Sequence, residues 1–262
     1  MATYNIEGRP FLLDLEKNHL RELSIQSNII DFDEMQYRGT HYFIRYDVLK
    51  STSPALRFKN SFTEDGLKIP LKVAIDPKGM SERYKFPLLE IAGKNDFDII
   101  VNQDLLRKRL SGELPEIDIA GKYFIADFNK DELRLKDDSN FRINLNAFYY
   151  DTENGTYKAL YNLRTCTIEV INDKVKEIPT DVVLLDIPSQ FKVDPVGLSE
   201  WFNLDLKDTL IKSPLQERYK AEVTPLNENI IALAVRSNQQ KEALLQKTHR
   251  PGNENARLGR KL

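Results

Sequence analysis

Apolar and polar positions alternate in short runs along most of the chain. Residues 4–15 and 117–128 each read as a strand, and each runs into a polar turn, EKNH and NKDE. Residues 144–150 and 157–163 flank 151–156, where Asn154-Gly155 marks a hairpin because glycine tolerates positive φ. Residues 165–171 and 175–178 flank Asn172-Asp173 as a second hairpin, and 182–187 form a short apolar strand. The first half repeats this more loosely at 28–32, 41–48, 55–58 and 67–75, with a turn at 64–66.

Two helices stand out. Asn102 is a natural N-cap, Asp104 sits in the first turn, Arg107 to Arg109 sit in the last, and Gly112 is the stop signal. Thr224-Pro225 reads as a cap followed by proline at the first helical position, ahead of an apolar stripe through Leu226, Ile230, Ile231 and Ala234. The elements predict an α+β fold built from antiparallel strands, without the strand–helix alternation of a doubly wound sheet.

The chain also resembles itself. Residues 6–21 and 119–134 share Ile, Gly, Phe, Asp, Lys, Leu and Arg at the same spacing, seven identities in sixteen positions at an offset of 113. Residues 69–84 and 187–202 share seven of sixteen at an offset of 118, including Asp-Pro-x-Gly-x-Ser-Glu in both. Identities at this density in the same order predict two tandem copies of one small antiparallel β-rich unit, each ending in a helix. The expected division is 1–112, 113–237 and a polar basic tail over 238–262. Extra residues in the second hairpin, 151–156 against 36–40, account for the drift in offset.

Charge separates the tail from the body. The whole chain carries −2. The tail holds Lys241, Lys247, Arg250, Arg257, Arg260 and Lys261 against Glu242 and Glu254, a balance of +4. The body is therefore near −6. Such a tail is suited to an acidic partner, nucleic acid or a neighbouring subunit, with Lys247, Arg250, Arg257, Arg260 and Lys261 as the binding residues. The body has no concentrated basic strip, which argues against a duplex binder.

The candidate chemistry is sparse. Asp76 with Glu82, and Asp194 with Glu200, are the carboxylates of the repeated string; they could serve acid–base or metal work. Asp, Pro and Gly at these positions are also the signature of a type I turn, and that reading is favoured. Asp14 and Asp127 end apolar strands and are expected to cap the turns that follow. The three histidines, His19, His41 and His249, lack zinc-pair spacing. The lone Cys166, in a predicted strand, is expected to be a small buried apolar residue. Phosphate-loop, dinucleotide and nucleophile-elbow motifs do not occur. Aromatic residues in the hairpins, Tyr42, Phe43, Tyr46, Phe148, Tyr149, Tyr150, Tyr157 and Tyr161, could stack single-stranded bases, but core and interface are the expected roles.

The N-terminus lacks the basic start and apolar run of a signal peptide, and no apolar stretch approaches membrane length. The sequence therefore leads to a cytoplasmic, non-catalytic interaction or assembly protein without metal or cofactor, binding protein partners through its body and basic tail. An enzyme using Asp76, Glu82, Asp194 and Glu200, or a single-stranded nucleic-acid binder, is the alternative.

Overall fold

A computed structural model describes residues 2–45, 66–172, 174–228 and 230–248. The fold is α+β, with several antiparallel sheets alongside helices. Strands β1 (Thr3–Ile6), β2 (Arg9–Asp14), β3 (His19–Glu22) and β4 (Ile29–Asp31) form a meander. The stretch 4–15 is thus two strands, broken where Glu7 and Gly8 both take positive φ, a two-residue hairpin turn. Residues 117–128 divide likewise into β8 (Glu116–Ile119) and β9 (Lys122–Asp127), turning at Ala120 and Gly121.

Strands β5 (Gln36–Tyr37), β6 (His41–Arg45) and β7 (Gly66–Pro70) form a three-stranded sheet. Strands β10 (Glu132–Leu135), β11 (Asp138–Asn144), β12 (Tyr149–Asp151), β13 (Thr156–Asn162), β14 (Ile168–Glu169), β15 (Val182–Pro188), β16 (Tyr219–Lys220) and β17 (Glu222–Pro225) complete the described strands. Their orders are β11-β10-β9-β8-β16 and β12-β13-β15-β17, with β14 on β13. The hairpin at Asn154-Gly155 joins β12 to β13, with Asp151 opposite Thr156.

The helices are α1 (Lys72–Ile75), α2 (Pro77–Tyr84), α3 (Asp96–Ile100), α4 (Gln103–Leu110), α5 (Gln190–Val193), α6 (Pro195–Phe202), α7 (Leu206–Lys212) and α8 (Ile230–Thr248). Helix α4 starts as its sequence indicates, with the Asn102 side chain accepting from the backbone of Asp104 and Leu105. Three expectations are corrected. Residues 67–75 are a strand only to Pro70; Lys72 to Ile75 are helical, because Asp96 accepts from the backbone N–H of Lys72 and Val73. Thr224 and Pro225 do not cap a helix; they lie on β17, paired with Leu184 and Val183. Residues 175–178 form no strand, and the carbonyls of Val175 and Lys176 instead accept from Asn238 and Gln239 of α8. That helix continues to Thr248, well past the point where the apolar stripe ends. The expected strand 55–58, the turn at Glu64 and Asp65, Tyr46 and Asp173 lie outside the described residues.

Backbone bonding recurs at the spacing of the sequence identities. Leu13 donates to Ala2 and Ala126 to Pro115; Leu23 to Pro10 and Lys136 to Tyr123; Phe32 to Asn18 and Leu145 to Asp131. Asn18 and Asp131, 113 positions apart, both adopt positive φ.

By compactness the chain divides into two units, each assembled from separated stretches: Met1–Ile117, Ile125–Lys130 and Pro188–Tyr219, and Asp118–Phe124, Asp131–Ile187 and Lys220–Leu262. The core of the first gathers Phe11, Leu13, Leu20 and Tyr42 from the N-terminal strands, Phe32 from the short 3-10 turn after β4, Met80, Phe97 and Leu106 from α2 to α4, and Val196, Leu210 and Ile211 from α6 and α7.

Candidate functional site

The repeated string occupies one local structure twice. Asp76 and Asp194 have nearly the same backbone, φ −139° and ψ 76° against φ −132° and ψ 64°. Neither starts a type I turn. Each is the N-cap of a helix whose first residue is the following proline, where a missing N–H costs nothing. The Asp76 carboxylate accepts from the Gly79 N–H at 2.9 Å, and Asp194 from Gly197 at 3.0 Å.

The glycines are needed for room, not for positive φ. A Cβ on Gly79 would collide with the Asp76 carboxylate and the Leu15 side chain, and one on Gly197 with Asp194 and the Arg109 guanidinium. Both helices end on a left-handed residue, Lys85 or Asn203. The backbone N–H after each, from Phe86 or Leu204, donates to Ser81 or Ser199. The serine hydroxyls differ: Ser81 donates to Phe86 O, and Ser199 to Pro195 O.

The surroundings of the two aspartates also differ. Asp194 is 3% exposed and takes Arg109 of α4 in two hydrogen bonds, Nε and the terminal nitrogen each at 2.8 Å. That bidentate contact raises the Arg109 pKa, burial opposing it. Asp76 is half-buried and has its cap bond alone among the described residues. Glu82 makes an exposed pair with Lys78 at 3.8 Å, and Glu200 is exposed. Each string therefore places its aspartate at the cap and its glutamate on the solvent side. No group of three His, Cys, Asp or Glu side chains is placed to hold a metal among the described residues.

A second polar centre has no counterpart in the sequence reading. Asp96, fully buried, accepts from the Tyr42 hydroxyl at 2.7 Å and from the N–H groups of Lys72 and Val73 at 2.9 Å each. The Lys72 ammonium is buried too; it donates to Asn18 Oδ1 at 2.8 Å and lies 5.1 Å from the Phe32 ring and 5.4 Å from the Tyr42 ring. Burial lowers the Lys72 pKa to about 8, against the opposing pull of Asp96. Burial, reinforced by Asp96, raises that of Tyr42. Every strong acceptor and donor here has a partner, so the cluster reads as a polar brace joining α1, α3 and the sheet.

The first unit also presents an open groove of about 600 Å³ lined by Tyr37, Arg38, Phe191, Leu198, Leu204 and Asp208. Asp208 is held there by Lys212 and by the Tyr37 N–H, which donates to it at 2.7 Å. Phe191 and Leu204 on the groove are exposed, as are Trp201 and Phe202 in the last turn of α6, at 55%, 46%, 64% and 59%. The positions 118 residues earlier are different in kind. Val73 is buried, Arg83 is charged, and Tyr84 and Phe86 pack against the core.

The remaining expected residues scatter. Asp14 caps its turn, accepting from Glu16 and Lys17, and Asp127 pairs with Lys130 at 3.3 Å. His19 is buried on β3, and His41 lies on β6. Tyr42, Phe43, Phe148 and Tyr161 are buried, whereas Tyr149 is exposed and Tyr150 packs against Tyr157. Cys166 is buried, but in a turn rather than a strand. Lys247 lies on α8; His249, Arg250, Arg257, Arg260 and Lys261 lie outside the described residues. No described helix is long and apolar enough to cross a membrane. No family profile matches the chain, and neither a curated protein nor a solved structure matches it.

Proposed function

We propose that the protein is a non-catalytic interaction and assembly component, built from two diverged copies of one unit, that docks a protein partner on the α5–α6 surface. The observation that carries this reading is the exposure of Phe191 and Leu204 on an open groove, and of Trp201 and Phe202 in the last turn of α6, which leads into Leu204. Large apolar side chains grouped on a surface are characteristic of binding sites, and aromatic residues dominate interface energetics. The four positions 118 residues earlier, around α1 and α2, are buried, packed or charged, so these side chains have no exposed apolar equivalents there. The carboxylates that would support catalysis are engaged as helix caps or exposed on the solvent side. The basic tail acts as an additional tether for an acidic partner, and the setting is the cytoplasm.

The test is affinity capture with the full chain and with the W201S/F202S double variant, after confirming by circular dichroism that both are folded. A specific protein retained by the native chain and lost by the variant supports the reading. A chain that stays monomeric and captures no protein, or captures the same protein in both forms, removes it.

A further inference from the structure

Cys166 is the chain's one cysteine and is buried in the turn following β13. Its N–H donates to Asn162 O at 2.8 Å, and the Asn162 side chain accepts from Arg164 and Thr165, so the turn is firmly held. Lys122, at the start of β9, reaches across to it, with Nζ 2.7 Å from Sγ. This is the short end even of the N–H···O range of about 2.7–3.2 Å, and sulfur is the larger atom. No carboxylate pairs with Lys122 among the described residues; its partner is a thiol, a weak acceptor.

A third group faces the same sulfur. The Tyr161 hydroxyl is buried, and its pKa is raised by burial and then by the neighbouring Cys166 side chain. A primary amine and a phenol thus converge on one buried thiol. An open groove of about 870 Å³ is lined among others by Gly121, next to Lys122, and by Leu163 of the Cys166 turn.

We propose that Lys122 and Cys166 are an oxidation site that closes into a covalent Nζ–Sγ link when the thiol meets a peroxide. The Cys166 sulfur, giving up its proton, attacks one peroxide oxygen. The O–O bond breaks, the second oxygen leaves as water, and sulfur is oxidised by two electrons to the sulfenic acid. The Lys122 amine, having released one proton to solvent, then attacks that sulfur. The S–O bond breaks, the N–S bond forms, and the hydroxide departs with the second amine proton as water. One peroxide is consumed, two waters are released, and no further oxidant is required. The product ties β9 to the β13–β14 turn, closing a loop over a sequence separation of 44 and making the second unit more resistant to unfolding.

The test treats the folded full chain with hydrogen peroxide and maps its peptides by mass spectrometry without reductant. The expected product joins the Lys122 and Cys166 peptides at a mass lower by two hydrogens, reverts with dithiothreitol, and raises Tm. K122R keeps the charge and lacks the primary amine; its Cys166 is expected to proceed to sulfinic acid with no link. A native Cys166 that remains a free thiol, or is oxidised while Lys122 stays unmodified, overturns the proposal.

Discussion

Arg109 grips Asp194 through two 2.8 Å hydrogen bonds while the same carboxylate caps α6. The residues are 85 positions apart. Removing the arginine leaves a buried carboxylate with its cap bond alone, and breaking one side of a buried pair costs about 3–5 kcal/mol. R109M is expected to lower stability by that amount, and R109M/D194N to recover part of it, as read from urea midpoints. Asp76 has no such partner among the described residues, so D76A is expected to lose the cap, about 1 kcal/mol. Equal losses for R109M and D76A would show that the arginine contact contributes little.

The glycines of the two strings face the same steric limit. G79A and G197A each force a Cβ against the capping carboxylate. Overpacking of this kind costs about 1–3 kcal/mol. G197A is expected to be the more damaging because the second group that must move is Arg109, held by two hydrogen bonds, rather than the Leu15 side chain that G79A meets. Thermal melts of the two variants give the comparison directly; an unchanged Tm for G197A would mean the cap is not held as described.

The buried ammonium makes stability depend on alkaline pH. Lys72 has a folded pKa near 8 against an ordinary 10.5, so between these values the unfolded chain binds the extra proton. Stability therefore rises with pH across that window. The buried phenols act the other way. Tyr37 is pushed up to about 12 and Tyr42 higher, so from about pH 10 the unfolded state loses its phenolic protons first and stability falls. Urea midpoints at about pH 7, 9 and 11 should rise and then fall, bracketed by the ordinary lysine and tyrosine values. In K72M the rise should vanish and the fall remain. The same rise in both proteins would place its origin elsewhere.

Helix α8 is fastened by the Asn238 and Gln239 side chains, which donate to the carbonyls of Val175 and Lys176, and by the Lys176–Glu242 pair. A chain ending at Ser237 loses these contacts, and one ending at Thr248 keeps them. At about 1 kcal/mol per hydrogen bond, the shorter chain is expected to be less stable than the longer one by roughly 1–2 kcal/mol. If both truncations melt like the full chain, the end of the helix contributes nothing to the fold.

What the sequence revealed follows the range of the interaction. The Asn154-Gly155 hairpin, the Asn102 cap and the 182–187 strand depend on neighbours within a few residues. Interactions across the chain were not legible. Lys72 to Ile75 look like a strand because Val73 and Ile75 are β-branched; they turn helical where Asp96, 24 residues on, receives the Lys72 N–H. Thr224-Pro225 has the composition of a helix cap and becomes a strand because β15 offers it a partner. Asp-Pro-x-Gly suits both a type I turn and a capped helix, and the residues beyond it decide between them. Among the site residues, the four carboxylates of the repeated string were visible, but not that Arg109 belongs to one of them. The buried polarity of Lys72 and Asp96 and the approach of Lys122 to Cys166 carried no local signal. The apolar surface was hidden for another reason: Trp201, Phe202 and Leu204 look like core in any one-dimensional reading.

The core of the first compact unit carries a schedule within it. Phe11 and Leu20 are synthesised well before Val196, Leu210 and Ile211, yet they share one core with them. During translation, the N-terminal strands must wait until the ribosome has released the chain through Tyr219 before the unit can close. Until then its apolar strands are without part of their covering. Nascent-chain partners that shield such surfaces would therefore engage this protein before Leu210 and Ile211 emerge.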